Sequence, residues 1–260
     1  MKPRSLIAGA YVALVLGFLM LPVAVVVLAS FSSTSFLTVP PQGLTLKWYG
    51  RVLQSPEYLH AIWVSVSLAA AATLGALVVG TAASYALVRR FVPGRALVSS
   101  LVMSPLVFPG VVIGVALLQL YAALGMAGSF VGLWLAHLVI TVPYVVRTTL
   151  ASLHGLDAEL EDAACTLGAT RLEAFRLVTL PLLRPGLAAG GLFAFITSFD
   201  NVPVSIFLTG VASTTLPVKL FTAIEFGVDP TVAAVSSLLI LATGATLVLA
   251  ERWVGIHRFT

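Results

Sequence analysis

The stretch Glu161 to Pro181 reads EDAACTLGATRLEAFRLVTLP, a run of acids, bases and helix-end signals in a chain otherwise dominated by apolar residues. From Leu156 to Leu167 the apolar positions Leu156, Leu160, Ala163, Ala164 and Leu167 form one stripe at helical period. Asp157, Glu159, Glu161 and Asp162 gather toward the start, where the helix macrodipole favours anions. Gly168 follows the last periodic residue, where a left-handed terminator belongs. Thr170 to Glu173, TRLE, is a capping box: the Thr170 hydroxyl serves the Glu173 amide and the Glu173 carboxylate reaches back. A second helix is expected to run toward Val178 and to end before Pro181. A passive tether needs none of these signals. Acidic flanks disfavour docking of the ridge on an anionic inner leaflet. Two readings remain: a partner protein covers the ridge, or the loop folds as a cap on its own bundle.

Outward from this stretch the composition changes abruptly. The 260 residues are 59% hydrophobic and 9% charged, and the mean hydropathy is +1.07. Soluble globular chains carry about 25% charged residues, so too little charge is present to build a water-facing surface, and an integral membrane protein is expected. The net charge of +4 does not indicate a nucleic-acid partner, because the bases lie in short clusters between apolar runs. One cysteine, Cys165, makes no intramolecular disulfide. No Cys/His cluster has metal-ligand spacing, so neither a metal nor another cofactor is expected.

Six segments reach the length of about 20 apolar residues needed to span a bilayer: about 6–29, 59–88, 96–122, 130–150, 187–209 and 230–250. None alternates as a strand would, so all are expected to be helices. Ser55-Pro56-Glu57 and Asp229-Pro230 place an N-cap before a proline at the first helical position. Eleven of the 14 Lys and Arg residues fall on one side of this topology, and Lys47, Arg51 and Lys219 on the other. Both termini and the 151–186 loop are therefore expected in the cytoplasm. Residues 1–29 have the charge pattern of a signal peptide, but an apolar run of about 24 residues exceeds the usual 7–15, which favours an uncleaved helix.

Ala72, Ala76, Gly80 and Ser84 form a small-residue seam at four-residue spacing, suited to packing within the bundle or to a subunit contact. Pro105 and Pro109, with Gly110, remove two backbone bonds from one face of span three, and Pro143 and Pro203 fall in spans four and five, as static kinks or as hinges around a pathway. Freed backbone groups in a bilayer need protein or a water-lined cavity. Trp48, Tyr49 and Trp63 read as interfacial anchors. The external segment LPVKLFTAIEFG is expected to form an amphipathic element.

The loop resembles the EAA loop of permease subunits of binding-protein-dependent ABC importers. That pattern is Glu-Ala-Ala, three residues, Gly, nine residues, Ile, any residue, Leu-Pro. Here Asp162-Ala163-Ala164, Gly168, Val178 and Leu180-Pro181 keep the spacing throughout, with Asp for Glu and Val for Ile as departures. FSSTSF, LKWYGRVL, LVFPGVVIGVALL, SFDNVPVSIFLTG, TTLPVKLF and DPTVAAVSSLLI are similar to the spermidine/putrescine branch, over about residues 6–250. The resemblance implies an all-α membrane protein of the six-transmembrane-helix, type I ABC importer permease fold, with a cytoplasmic coupling-helix loop. It implies two ABC ATPase subunits, one docking under each EAA loop, a second and non-identical permease subunit, and an extracytoplasmic substrate-binding protein. Glu161, Asp162, Ala163, Ala164, Leu167, Gly168, Leu180 and Pro181 become the expected ATPase-docking residues. No G-x-x-x-x-G-K-[ST] cradle exists and no Gly-Lys pair occurs, so the chain is expected to have no catalytic site and to draw on ATP hydrolysis elsewhere.

Asp200 is the acid lying well inside a predicted span, about 20 Å from its cytoplasmic end at 1.5 Å per residue. A charge at depth costs at least about 2.5–3.5 kcal/mol and needs a partner or water. With Thr197, Phe199 and Asn201 it is expected to line a substrate pathway and receive an ammonium group, the aromatic rings of Phe195, Phe199 and Phe207 assisting by cation–π contact. The competing role is a cap on a locally broken helix at Asn201 and Pro203. His137 reads as a hydrogen-bonded packing residue. Cys165 reads as a small buried residue of the docking helix. The expected function is import of a small cation, a polyamine, by alternating access across the cytoplasmic membrane. Related branches carry iron, thiamine or inorganic anions. A stand-alone secondary transporter fits less well, for want of an internal repeat and of several buried charges. An intramembrane enzyme would need more than one Asp and one His on separate spans.

Overall fold

The computed structural model describes residues 3–35, 40–89, 92–227 and 229–254. Lys2, Arg90 and Arg258, counted above for orientation, lie outside them. Among the described residues the regular structure is helical, apart from an isolated β-bridge between Ser32 and Leu44. The chain divides into two compact units, residues 1–60 with 220–260, and residues 61–219.

In the first unit, helix α1 (Pro3–Ser30) packs on the last helix, Pro230–Val254, which also meets a short helix α2 (Lys47–Gln54). Trp48 is not the lipid-facing anchor expected of it. It is 2% exposed, donates its indole N–H to the Ser32 carbonyl at 2.7 Å, and carries Lys47 and Arg51 over its ring at 4.4 and 4.7 Å. An indole has one polar atom, and once that atom finds a carbonyl the ring is free to be buried. Tyr49 bonds Ser30 Oγ at 2.6 Å.

The second unit begins within α3 (Pro56–Arg89) and contains α4 (Arg95–Met103), α5 (Gly110–Ala123), α6 (Phe130–His154), α7 (Glu159–Thr166), α8 (Arg171–Ala174), α9 (Leu180–Leu182), α10 (Arg184–Phe199) and α11 (Ser205–Leu208). The small-residue seam of α3 is used inside the bundle. A methyl group on Gly80 would meet Val145 of α6 at 2.9 Å, and the Ser84 hydroxyl donates to the Gly80 carbonyl at 2.7 Å and to Val146 at 3.3 Å. The most extensive helix pairing joins α6 and α10. Gly186 and Gly190 allow it: methyl groups there would run onto the Thr148 carbonyl at 3.0 Å and the Val145 Cα at 3.1 Å.

Two predicted elements are not straight helices. Span three bends by 102° between Arg95–Leu106 and Gly110–Ala123. Pro105 sits in a 3-10 turn, and Pro109 takes an extended ψ of 132° as it caps α5, so the prolines end one helix and start another. The second helix of the loop does not stop before Pro181. It runs on to Leu182 and meets α10 at 71°. Pro181 has no N–H to offer four residues back. The preceding turn, Phe175–Thr179, is a π-helix in which the Leu180 N–H reaches the Phe175 carbonyl. Among the described residues, Gly9–Ser30, Pro56–Arg89 and Phe130–His154 are long and apolar enough to cross a membrane, and the two bent pairs bring the total to five if each is one span. The sixth predicted segment falls in α13 (Pro230–Val254), with a described apolar stretch Pro230–Ala245. The expected external element is helix α12 (Leu216–Phe226).

Candidate functional site

The loop between α6 and α10 is built as two capped helices. Asp157 accepts the Glu159 N–H at 3.0 Å at the start of α7. At its end Gly168 takes φ +97°, the Gly168 N–H reaches the Cys165 carbonyl at 3.0 Å and the Ala169 N–H reaches Ala164 at 3.1 Å. This pair of bonds is a Schellman motif, and the left-handed φ is why glycine stands there. The capping box forms as spaced: the Glu173 N–H donates to Thr170 Oγ1 at 3.3 Å, and the Thr170 N–H donates to the Glu173 carboxylate at 2.7 Å. Those bonds from Thr170, backbone first and hydroxyl second, hold the Glu173 carboxyl below its ordinary range.

The expected docking residues separate into two faces. Ala163, Leu167 and Gly168 are exposed, Leu167 to 90%, as are Leu160 on α7 and Leu172 and Leu177 beyond it. Ala164 and Cys165 are half-buried. Asp162 is exposed and bonds Arg171 at 2.9 Å, bridging α7 to α8. The Asp162 hydrogen bond is the main reason the Arg171 guanidinium is held above its usual range. Glu161 departs from the expectation, because it faces inward at 5% exposure. Its carboxylate accepts the Tyr85 hydroxyl at 2.8 Å and the Thr179 hydroxyl, and Arg89 Nε stands 3.7 Å away. Arg89 also donates to the Leu156 carbonyl at 3.0 Å. Glu161 therefore fixes α7 to α3 and to the π turn, and its side chain is not on the outer ridge. Leu180 and Pro181 are half-buried and shape that π turn.

A cavity of about 720 Å³ opens beside the loop, lined mainly by apolar residues such as Leu77, Val78, Leu172, Phe175 and Leu187. The second predicted site lies where α10 ends. Thr197 and Asn201 line a smaller cavity of about 140 Å³ with Phe108, Ile140 and Tyr144. Asp200 and Phe199 are not among its lining residues. Phe199 stacks on Phe195 with ring centroids 6.0 Å apart. Asp200 ends α10 through its backbone N–H, which donates to Ile196 at 3.0 Å, and its carboxylate is exposed and unpartnered among the described residues. The cap on the break is Asn201, whose Oδ1 accepts the Val204 N–H at 3.0 Å. His137 does make the expected packing bonds. Its partners, Ser198 and Ser205, were not legible in the sequence, because serine is common and both lie more than 60 residues away. Among the described residues no group of three or more His, Cys, Asp or Glu gathers as a metal site.

Comparison with known proteins identifies the architecture. Residues 76–256 match the family described as binding-protein-dependent transport system inner membrane component. The putrescine transport system permease protein PotI of Escherichia coli (strain K12) is 36% identical over 243 residues, covering 90% of this chain and 86% of the relative. The spermidine/putrescine transport system permease protein PotC of the same strain is 31% identical over 236 residues, covering 91% and 89%. A solved bacterial ABC transporter involved in the import of the acidic polysaccharide alginate shares the fold at TM-score 0.76 and 18% identity, covering 97% and 98% of the two chains. Matched over more than half its length and 36% identical to PotI over nine-tenths of it, the chain belongs to the family of inner membrane components of binding-protein-dependent transport systems.

Proposed function

We propose that this permease forms one half of the membrane pathway of an ATP-driven importer for a polyamine of the putrescine or spermidine class. The observation that carries the energy-coupling half of this reading is the exposed ridge Leu160–Ala163–Leu167 on a helix closed at both ends and anchored from behind by Glu161. An uncovered apolar ridge of this kind fits a groove on a partner, and an ATPase subunit is the partner a binding-protein-dependent permease needs. Two such subunits, one per permease, serve this chain and a second, non-identical permease. Both termini and the loop lie on the cytoplasmic side, as the Lys and Arg distribution supports. A separate extracytoplasmic protein delivers the substrate. ATP-driven closure of the ATPases moves α7, and the rigid mount on α3 passes that motion to the membrane helices.

The substrate class rests on the names of the two Escherichia coli relatives and on Asp200. An exposed carboxylate at the break of α10, unpartnered among the described residues, suits an ammonium group. The nearby cavity lined by Tyr144, Thr197 and Asn201 suits the polar and methylene parts of a short amine. The second permease supplies the remaining acids. The test is uptake of labelled putrescine and spermidine by the assembled transporter in liposomes. Asp200→Ala should abolish uptake while the ATPase subunit still co-purifies. Normal uptake by that variant would remove Asp200 from the pathway, and transport of neither amine by the unaltered transporter would remove the substrate class.

A further inference from the structure

The break that presents Asp200 is held between two fixed points of one residue. On α6, which runs unbroken from Phe130 to His154, His137 is fully buried. Its Nδ1 lies 2.8 Å from Ser198 Oγ and its Nε2 lies 2.9 Å from Ser205 Oγ. Ser198 belongs to α10 and Ser205 opens α11, so the imidazole ties together the helix ends on either side of residues 200–204. Both serines are buried. A neutral imidazole offers one donor and one acceptor on different edges of a rigid ring, and a hydroxyl serves as either, so both bonds are satisfied in one protonation state. Asn and Gln carry both polar atoms on one terminal carbon and do not span the same two points.

The other side of the break is walled by α5. A methyl group on Gly110 would meet Pro203 at 3.0 Å, and one on Gly114 would meet the Pro203 carbonyl at 3.0 Å and Phe207 at 2.8 Å. Glycine at both positions lets the broken chain lie directly on the α5 backbone. Pinned from α6 and backed by α5, the segment leaves Asp200 and Pro203 exposed. Since the Asp200 carboxylate has no partner of its own among the described residues, its position is set by what holds the backbone.

We propose that His137 is the positioning residue of the pathway break: through Ser198 and Ser205 it fixes the backbone that presents Asp200. This rests on the reading of Asp200 as a pathway acid, and the experiment separates the two. In a Cys165→Ala background, Val202→Cys reports exposure of the break by its rate of reaction with a water-soluble thiol reagent. His137→Phe, which keeps a ring and loses both bonds, should raise that rate about threefold or more as the segment loosens. It should lower putrescine uptake by the assembled transporter about tenfold, as expected for a misplaced group, with binding-protein-stimulated ATP hydrolysis retained. Ser205→Ala, which removes one bond and little volume, should give intermediate values, and it decides the matter if His137→Phe fails to assemble. Unchanged labelling in Ser205→Ala together with unchanged labelling or failed assembly in His137→Phe overturns the proposal. Normal labelling in both, with uptake lost in Asp200→Ala, overturns the proposal alone and leaves the pathway reading standing. Normal uptake in Asp200→Ala overturns both.

Discussion

Glu161 is an ionic group taken out of water and surrounded by its own chain. Tyr85, Thr179 and Arg89 all aim at its carboxylate. Removing one member of such a buried set leaves the others without a counterpart, at a cost of about 3–5 kcal/mol. Glu161→Ala should therefore lower thermal stability strongly in detergent. Glu161→Gln, which still accepts from Tyr85 and presents an amide to Thr179, should lose less than half as much. Equal melting temperatures for Glu161→Ala and the unaltered protein would show that this network does not hold the loop. At this scale, what the sequence revealed depended on separation along the chain. The Thr170–Glu173 box and the Gly168 terminator could be read because their bonds join residues three to five apart. The inward turn of Glu161 could not, because Tyr85 stands 76 positions away and Thr179 18.

Helices in this chain meet through absent side chains. The α6–α10 contact runs along Gly186 and Gly190, where a methyl on Gly190 would strike the Thr148 hydroxyl and sit 3.1 Å from the Val145 Cα. Gly190→Ala should cost about 1–3 kcal/mol, the usual penalty for overpacking. Adding Thr148→Ala should restore part of it by clearing the hydroxyl. Gly191→Ala serves as the contrast, since its methyl would meet Leu77 at an ordinary 3.5 Å. The measurement is the melting temperature of the three variants, and equal losses at Gly190 and Gly191 would contradict the close approach. Apolar runs marked where helices lie but not how they bend. Pro105 and Pro109 flagged a weak point in span three, while the 102° turn depends on where the two halves find partners. Pro181 read as a stop, yet the chain absorbs its missing N–H with a π turn, and Thr179 in that turn bonds Glu161.

For the molecule as a whole, the reading predicts two chemically different ends. Leu167→Cys, in the Cys165→Ala background, should crosslink to the ATPase subunit in the assembled transporter. Val211→Cys, fully exposed between α11 and α12, should not. Capture of the ATPase from Val211, or its absence from Leu167, would reverse or remove the assignment of the loop. Composition alone made the membrane class legible. The matching loop spacing made the transport family legible, and the paired inner faces of the helices emerged only in three dimensions.

Helix α3 has 34 residues, or about 51 Å at the α-helical rise, against a hydrocarbon thickness of about 30 Å. The surplus must stand in the headgroups and water or be taken up by leaning. Hydrophobic mismatch costs fractions of a kcal/mol per Å, enough to alter the lean without disrupting the fold. Tyr85 and Arg89, near one end of this shaft, grip Glu161, so a change in lean reaches α7 directly. On the proposed coupling, acyl-chain length in the surrounding lipid becomes a dial on how faithfully the fuel stroke is converted into passage of solute.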